Sequence, residues 1–164
     1  MTDERDRRWM QHAIDLARRA GERGDHPFGS VIVRGDALVA EGENSVESRH
    51  DPNAHAETVA IRAACHRLAT LGLSGTTIYA SGEPCWMCST VIRTVGIRRV
   101  VFGLTSGWET GGYSSGFPIL TARVDRFGQP PEVVADFLAD QVSALLASFG
   151  WTYRSAGETE GQSP

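Results

Sequence analysis

Residues 55–57 read His-Ala-Glu, and residues 84–88 read Pro-Cys-Trp-Met-Cys. An imidazole, a carboxylate and two thiols can together hold a transition metal and work on a water bound to it. Cys85 and Cys88 stand three apart, so in the first turn of a helix they share a face and can grip one ion. A helix N-terminus favours anions and lowers thiol pKa values, which lets both persist as thiolates near neutral pH. Zinc suits such a pair. His55 as third ligand would leave the fourth tetrahedral position to water, the arrangement of a catalytic zinc site with one ion per chain. Glu57 is then the candidate general acid and base, because zinc lowers the pKa of bound water from about 15.7 towards 7 and a nearby carboxylate can carry the proton released. One obstacle stands against this. On a regular helix, residues two apart point about 200° away from each other, so His55 and Glu57 converge only if the metal sits over the helix end.

Other readings of the same residues stay open. A lone C-x-x-C between a strand and a helix is also the thioredoxin arrangement, although the His-Ala-Glu stretch makes it the lesser reading. A closed structural site needs a fourth ligand from His26, His50, Cys65 or His66, and none of these has the usual paired-ligand spacing. Cys65 falls on an apolar stripe and reads as core. A non-enzymatic zinc-stabilised binding protein is a third option, but a structural site has no use for a carboxylate beside an open position.

The elements that must position these residues follow from periodicity. Trp9, Ala13, Leu16 and Ala20 recur at helical spacing up to Gly21 and Gly24. Residues 30–33 and 38–41 read as a hairpin around Arg34-Gly35-Asp36, with Asn44 at the exit of the second strand. Asp51-Pro52-Asn53 starts a helix over 54–68, at the histidine motif. Residues 76–80 are a third strand, Gly82-Glu83-Pro84 a turn, 85–95 a helix and 99–102 a fourth strand. Residues 104–118, rich in Gly, Ser and aromatics, read as a loop that could close over a ligand. A fifth strand is expected over 119–125. Pro130 and Pro131 then open an amphipathic last helix carrying Val133, Val134, Phe137, Leu138, Val142, Leu145, Leu146 and Phe149. Strands alternating with helices after a hairpin imply an α/β fold, a three-layer α/β/α sandwich around a mixed five-stranded sheet. Both motifs then lie at strand-to-helix transitions, where such sheets place ligands.

Bulk composition narrows the function. With 164 residues, 41% of them hydrophobic, the chain can bury one core, so residues 1–150 are expected to form one domain and 151–164 a polar, disordered tail. There is no long apolar run and no leader-like start, and only three cysteines, so the expected compartment is the cytoplasm, with no membrane partner. Net charge is −4, every one of the 16 basic residues is arginine, and no basic face is clustered, which argues against a nucleic-acid partner.

The joint pattern H-A-E with P-C-x-x-C resembles the zinc signature of the cytidine deaminase superfamily. His26–Val33, Glu41–Asn44, Asp51–Glu57 and Tyr79–Cys88 are similar to successive blocks of its guanine deaminase and tRNA-adenosine deaminase branch. The resemblance implies that His55, Cys85 and Cys88 are the zinc ligands, that Glu57 shuttles protons, and that Asn44 hydrogen-bonds a substrate ring. Without it, Asn44 reads as a turn residue. Phe28 resembles a pocket-wall residue and His26 lies beside it. The implied reaction is hydrolysis of a ring amino group to a carbonyl with release of ammonia, in a homodimer. Pro27-Phe28-Gly29 favours a free base such as guanine. Trp86, in place of the proline usual in guanine enzymes, and Pro118-Ile119 after Gly116-Phe117, in place of an acidic pair, depart from that branch. Trp86, Trp108, Tyr113 and Phe117 are candidates to stack on a planar base, and Glu109 to read a donor on its edge. The alternative substrate is tRNA adenosine, which the last helix resembles and the acidic tail opposes.

Overall fold

A computed structural model of the chain describes residues 2–105 and 115–151. Helix α1 (Thr2–Arg23) is followed by strands β1 (Gly29–Arg34) and β2 (Ala37–Glu43) and by a short helix α2 (Val46–Arg49). Helix α3 (Ala56–Leu68), strand β3 (Thr77–Ala80), helix α4 (Trp86–Thr94) and strand β4 (Arg99–Phe102) come next, then α5 (Phe117–Thr121), β5 (Glu132–Val134) and α6 (Ala139–Ser148). The five strands form one sheet in the order β2-β1-β3-β4-β5. β1 is antiparallel to both β2 and β3, whereas β3, β4 and β5 run parallel, so the sheet is mixed.

Alternation along the strands divides the core into two layers. Val31, Val33, Tyr79 and Val101 face α1 and α6, packing on Trp9, Met10, Ala13, Ala17, Val142 and Leu146. Ile32, Ile78, Ala80, Val100 and Phe102 face the other way, against Ala60, Ile61 and Ala64 of α3, Ile92 of α4 and Leu120 of α5. The three-layer α/β/α sandwich is therefore present. Among the described residues, no helix is long and apolar enough to cross a membrane.

The C-terminal third corrects two expectations. Residues 119–125 are not a strand: α5 occupies Phe117–Thr121 with a proline in its first turn, and Asp125–Phe127 is a 3-10 turn. The buried guanidinium of Arg93 explains why, since it collects the carbonyls of Ile119, Leu120 and Ala122 at 2.7, 3.1 and 2.9 Å and that of Gly128 at 3.2 Å. Carbonyls gathered on one cation cannot feed a strand ladder. The fifth strand is instead Glu132–Val134, pairing Val100 with Val133 and Val101 with Val134. The last helix accordingly begins at Ala139 rather than at the prolines. Val133 and Val134 fit helical and extended patterns alike, but β-branching favours the strand. Asp136 and Leu138, at φ 56° and 60°, are left-handed and interrupt any helix between the two elements. Trp151, the first residue of the expected tail, packs on Phe28 and His26 at ring-centroid distances of 5.6 and 5.1 Å. The remainder of the tail lies outside the described residues.

Candidate active site

The obstacle raised by the spacing of His55 and Glu57 disappears at the start of α3. His55 is not helical: it is the N-cap, extended at φ −68° and ψ 153°, so the rotation of a regular helix does not separate it from Glu57. Its side chain makes no capping hydrogen bond. Thr58 Oγ1 instead bonds the His55 carbonyl at 2.9 Å, while Ser45 N donates to Ala54 O at 2.9 Å and pins the preceding residue to the end of β2. Gly42 permits this closeness. A Cβ there would lie 2.2 Å from Ala56 O and 2.6 Å from Ala60 N, so only glycine lets β2 lie against the first turns of α3.

Cys85 repeats the arrangement on α4. It too is an extended N-cap, at φ −68° and ψ 177°, with Cys88 buried in the first turn behind it. The N-terminal ends of both helices thus meet beyond the C-terminal ends of the parallel strands, and their dipoles favour negative charge at that point. His55 Nδ1 lies 3.5 Å from Cys85 Sγ and 3.6 Å from Cys88 Sγ. All three donor atoms fall within 4.8 Å of one another. Tetrahedral zinc, with bonds of about 2.3 Å to sulfur and about 2.0 Å to nitrogen, places neighbouring S and N donors about 3.5 Å apart. The three residues fit that ion in chemistry and in spacing.

The electrostatics agree. Cys85 is held down to about 4, first by a hydrogen bond with Cys88 and, against burial, by His55 as well. Cys88 is pushed up by the same shared hydrogen bond and by its burial. Burial opposes a charged His55, but the bond to Cys85 and the charge of Glu57 hold its pKa above the usual value. Glu57 is buried, its Oε2 accepts from Cys88 Sγ at 3.4 Å, and burial followed by the charge of Cys85 pushes its carboxyl up to about 7. A divalent cation among the three donors would pull that carboxyl back down, because it stabilises the charged form.

The cytidine and deoxycytidylate deaminase zinc-binding region is matched by residues 3–104. The chain belongs to this deaminase family. Among its relatives, the tRNA-specific adenosine deaminase of Bacillus subtilis is 33% identical over 144 residues, covering 88% of each chain. The guanine deaminase of the same organism is 44% identical over 81 residues, 49% of this chain and 52% of that one. A solved structure from work on A-to-I editing by tRNA:A34 deaminases at the wobble position superposes with a TM-score of 0.75 at 31% identity, covering 85% of this chain and 99% of that one. As a member of the family, the chain is a zinc-type, C–N-cleaving deaminase.

The other expected site residues divide into three groups. Asn44 is buried at the exit of β2, donates its N–H to Phe28 O at 3.0 Å, and accepts at Oδ1 from Val46 N at 3.2 Å. Because Ser45 is bonded to Ala54, Asn44 lies close in the fold to His55. Phe28 lies beside the same region, its ring against Gly82, where a Cβ would come within 2.9 Å. His26 neighbours Trp151 and, at 3.6 Å, Glu47. Trp86 and Phe117 are exposed aromatics of the first turns of α4 and α5. Trp108, Glu109 and Tyr113 lie outside the described residues. Sequence reasoning missed Glu83, taken only as part of a turn. Its carboxylate is buried and holds Ser115 and Phe117, and the available signal was an acidic residue directly before Pro84-Cys85.

Proposed function

We propose that this chain is a hydrolytic aminopurine deaminase acting on adenosine in tRNA, with His55, Cys85 and Cys88 as zinc ligands and Glu57 as proton shuttle. The observation that carries this reading is the meeting of two helix N-caps, His55 and Cys85, with the buried Glu57 carboxyl 3.4 Å from Cys88. The choice of tRNA adenosine is supported by relatives so named that align over most of this chain. It runs against the expectation from charge that a nucleic acid is no partner.

Zinc on these three ligands would supply an activated water as nucleophile. Glu57 takes up the proton of that water and donates it to the ring nitrogen beside the carbon under attack. It then takes the second proton of the same water, now on the ring oxygen, and delivers it to the amino group, so that the C–N bond breaks, ammonia departs and a ring carbonyl remains. Burial keeps the carboxyl out of bulk solvent, and the two anchored N-caps hold it close to the donor set, so its proton moves a short, fixed distance. Asn44 serves as the substrate-orienting amide and Phe28 as part of the pocket wall.

A free base such as guanine is the second reading. It is favoured by the 44% identity to a guanine deaminase over 81 residues, and by the absence of lysine from the chain. One experiment separates the two: ammonia release and inosine formation with adenosine-containing tRNA, set beside guanine, adenine, cytosine and isocytosine. Turnover of a free base with no inosine in tRNA overturns the first reading. A homodimer belongs to the same proposal, and light scattering that gives the mass of one chain at assay concentration contradicts it.

A further inference from the structure

Between β3 and α4 the chain crosses residues 81–85, and Cys85 is the one thiol of the donor set that lies outside a helix. Pro84 has no N–H, so the turn lacks one of its own means of being fixed. Leu104, just past the end of β4, and a limb at residues 115–117 supply what is missing. Glu83 N donates to Leu104 O at 2.9 Å, and Glu83 Oε1 accepts from the hydroxyl of Ser115 and from Phe117 N, the latter at 3.0 Å. Cys85 forms an antiparallel bridge with Ser115. Between those contacts Gly116 lies so close that a Cβ would meet Ser89 Oγ at 2.0 Å, Pro84 O at 2.1 Å and Cys85 O at 2.7 Å. Three consecutive residues, 115–117, are thus seated on three others, 83–85.

We propose that Glu83 is a positioning residue for the metal centre: its carboxylate latches the limb 115–117 onto the cysteine turn and so fixes where Cys85 presents its sulfur. The inference rests on the assignment of His55, Cys85 and Cys88 as the ligand set. A metal tolerates donor displacements of only about 0.2 Å. A turn freed from its limb exceeds that, while Cys88 stays in place inside α4. The far end of the same limb is held separately, by Arg93 on the carbonyls of Ile119, Leu120, Ala122 and Gly128.

The test is zinc affinity of the purified full-length protein, measured by competition with a chromophoric chelator alongside thermal unfolding. Glu83→Ala should weaken zinc binding by about 10- to 100-fold, the usual loss when an outer partner of a ligand is removed. Glu83→Gln, whose amide oxygen can still accept from Ser115 and Phe117, should retain affinity within a few-fold. Gly116→Ala should behave like Glu83→Ala, because its Cβ forces the limb off the turn. Ser115→Ala removes one donor to Glu83 and should fall between, in a background where the fold is least disturbed. Arg93→Met should lower the unfolding temperature while leaving zinc affinity as it was. Equal affinity in wild type and Glu83→Ala overturns the proposal, as does a loss in Arg93→Met as large as that in Glu83→Ala. A wild type that binds no zinc overturns the ligand assignment as well, and is recognised before any variant is made.

Discussion

Two buried groups of ionisable side chains illustrate opposite uses of charge in this molecule. In the first, Asp6 of α1 accepts from Tyr79 of β3 at 2.6 Å and from the two terminal nitrogens of Arg99 of β4 at 2.9 and 2.8 Å. Burial works to raise the Asp6 carboxyl, yet the hydrogen bonds from Arg99 and Tyr79 hold it below its usual value, so it stays ionised beside its cation. Asp6 and Arg99 are paired with each other, and the group ties a helix to two strands. In the second, His55, Cys85, Cys88 and Glu57 set two sulfurs and a carboxyl around one imidazole, and the carboxyl is pushed up to about 7. Its donors converge on a common point instead of cancelling in pairs. A cluster that balances itself marks structure, and one whose lone pairs share a focus marks a cation and chemistry.

Substitutions can break this contrast, and the largest effect belongs to the second cluster. Glu57→Ala should lower kcat by about 10²- to 10⁴-fold while zinc content, measured by metal analysis, stays at one per chain. Retained activity would remove Glu57 from the mechanism. Cys88→Ala should abolish stoichiometric zinc and lower the unfolding temperature. In the first cluster the outcome reverses: Arg99→Met should cost about 2–3 kcal/mol in denaturant unfolding, below the range for fully buried pairs because Arg99 keeps some contact with solvent, and zinc content should not change. Gly42→Ala, which drives a Cβ against α3, should cost about 1–3 kcal/mol and reduce turnover, since the displaced turn carries His55 and Glu57. A variant with wild-type stability and turnover would show that β2 can shift without disturbing the site.

Acid provides the smallest and most selective probe. The pKa of Asp6 is depressed on folding, so its contribution is present above the unfolded value of 3.8 and is lost as pH falls through the lower folded value. Unfolding free energy should therefore decline below about pH 4 in the wild type, and Asp6→Asn should flatten that decline. An unchanged slope would mean that other carboxylates dominate the acid limb. Asn44→Ala should raise KM for the substrate with zinc content and the acid profile unaltered.

How much of this was legible beforehand differs from element to element. The helices at 54–68 and 85–95 and the first four strands came out within about two or three residues of their places, because their apolar periodicity and glycine and proline boundaries agree. The short α2 was not anticipated, having four residues and no buried ones to give it a pattern. The region 117–138 was misread in its type of structure. What decides it is a buried arginine from a distant helix and the open edge of β4, and neither leaves a local signature.

That His55, Cys85 and Cys88 could hold one metal ion, with Glu57 proposed as its acid, was already suggested by residue type and spacing together with the resemblance those motifs carry. That His55 and Glu57 could meet at one point was decided by tertiary structure. Non-helical N-cap geometry, held by Ser45, Thr58 and the missing Cβ of Gly42, removed the rotation that a helix would have imposed. Glu83 likewise reads as an ordinary turn acid until the fold brings Ser115 and Phe117 to it, because a hydrogen bond spanning more than 30 residues is written in neither of the segments it joins.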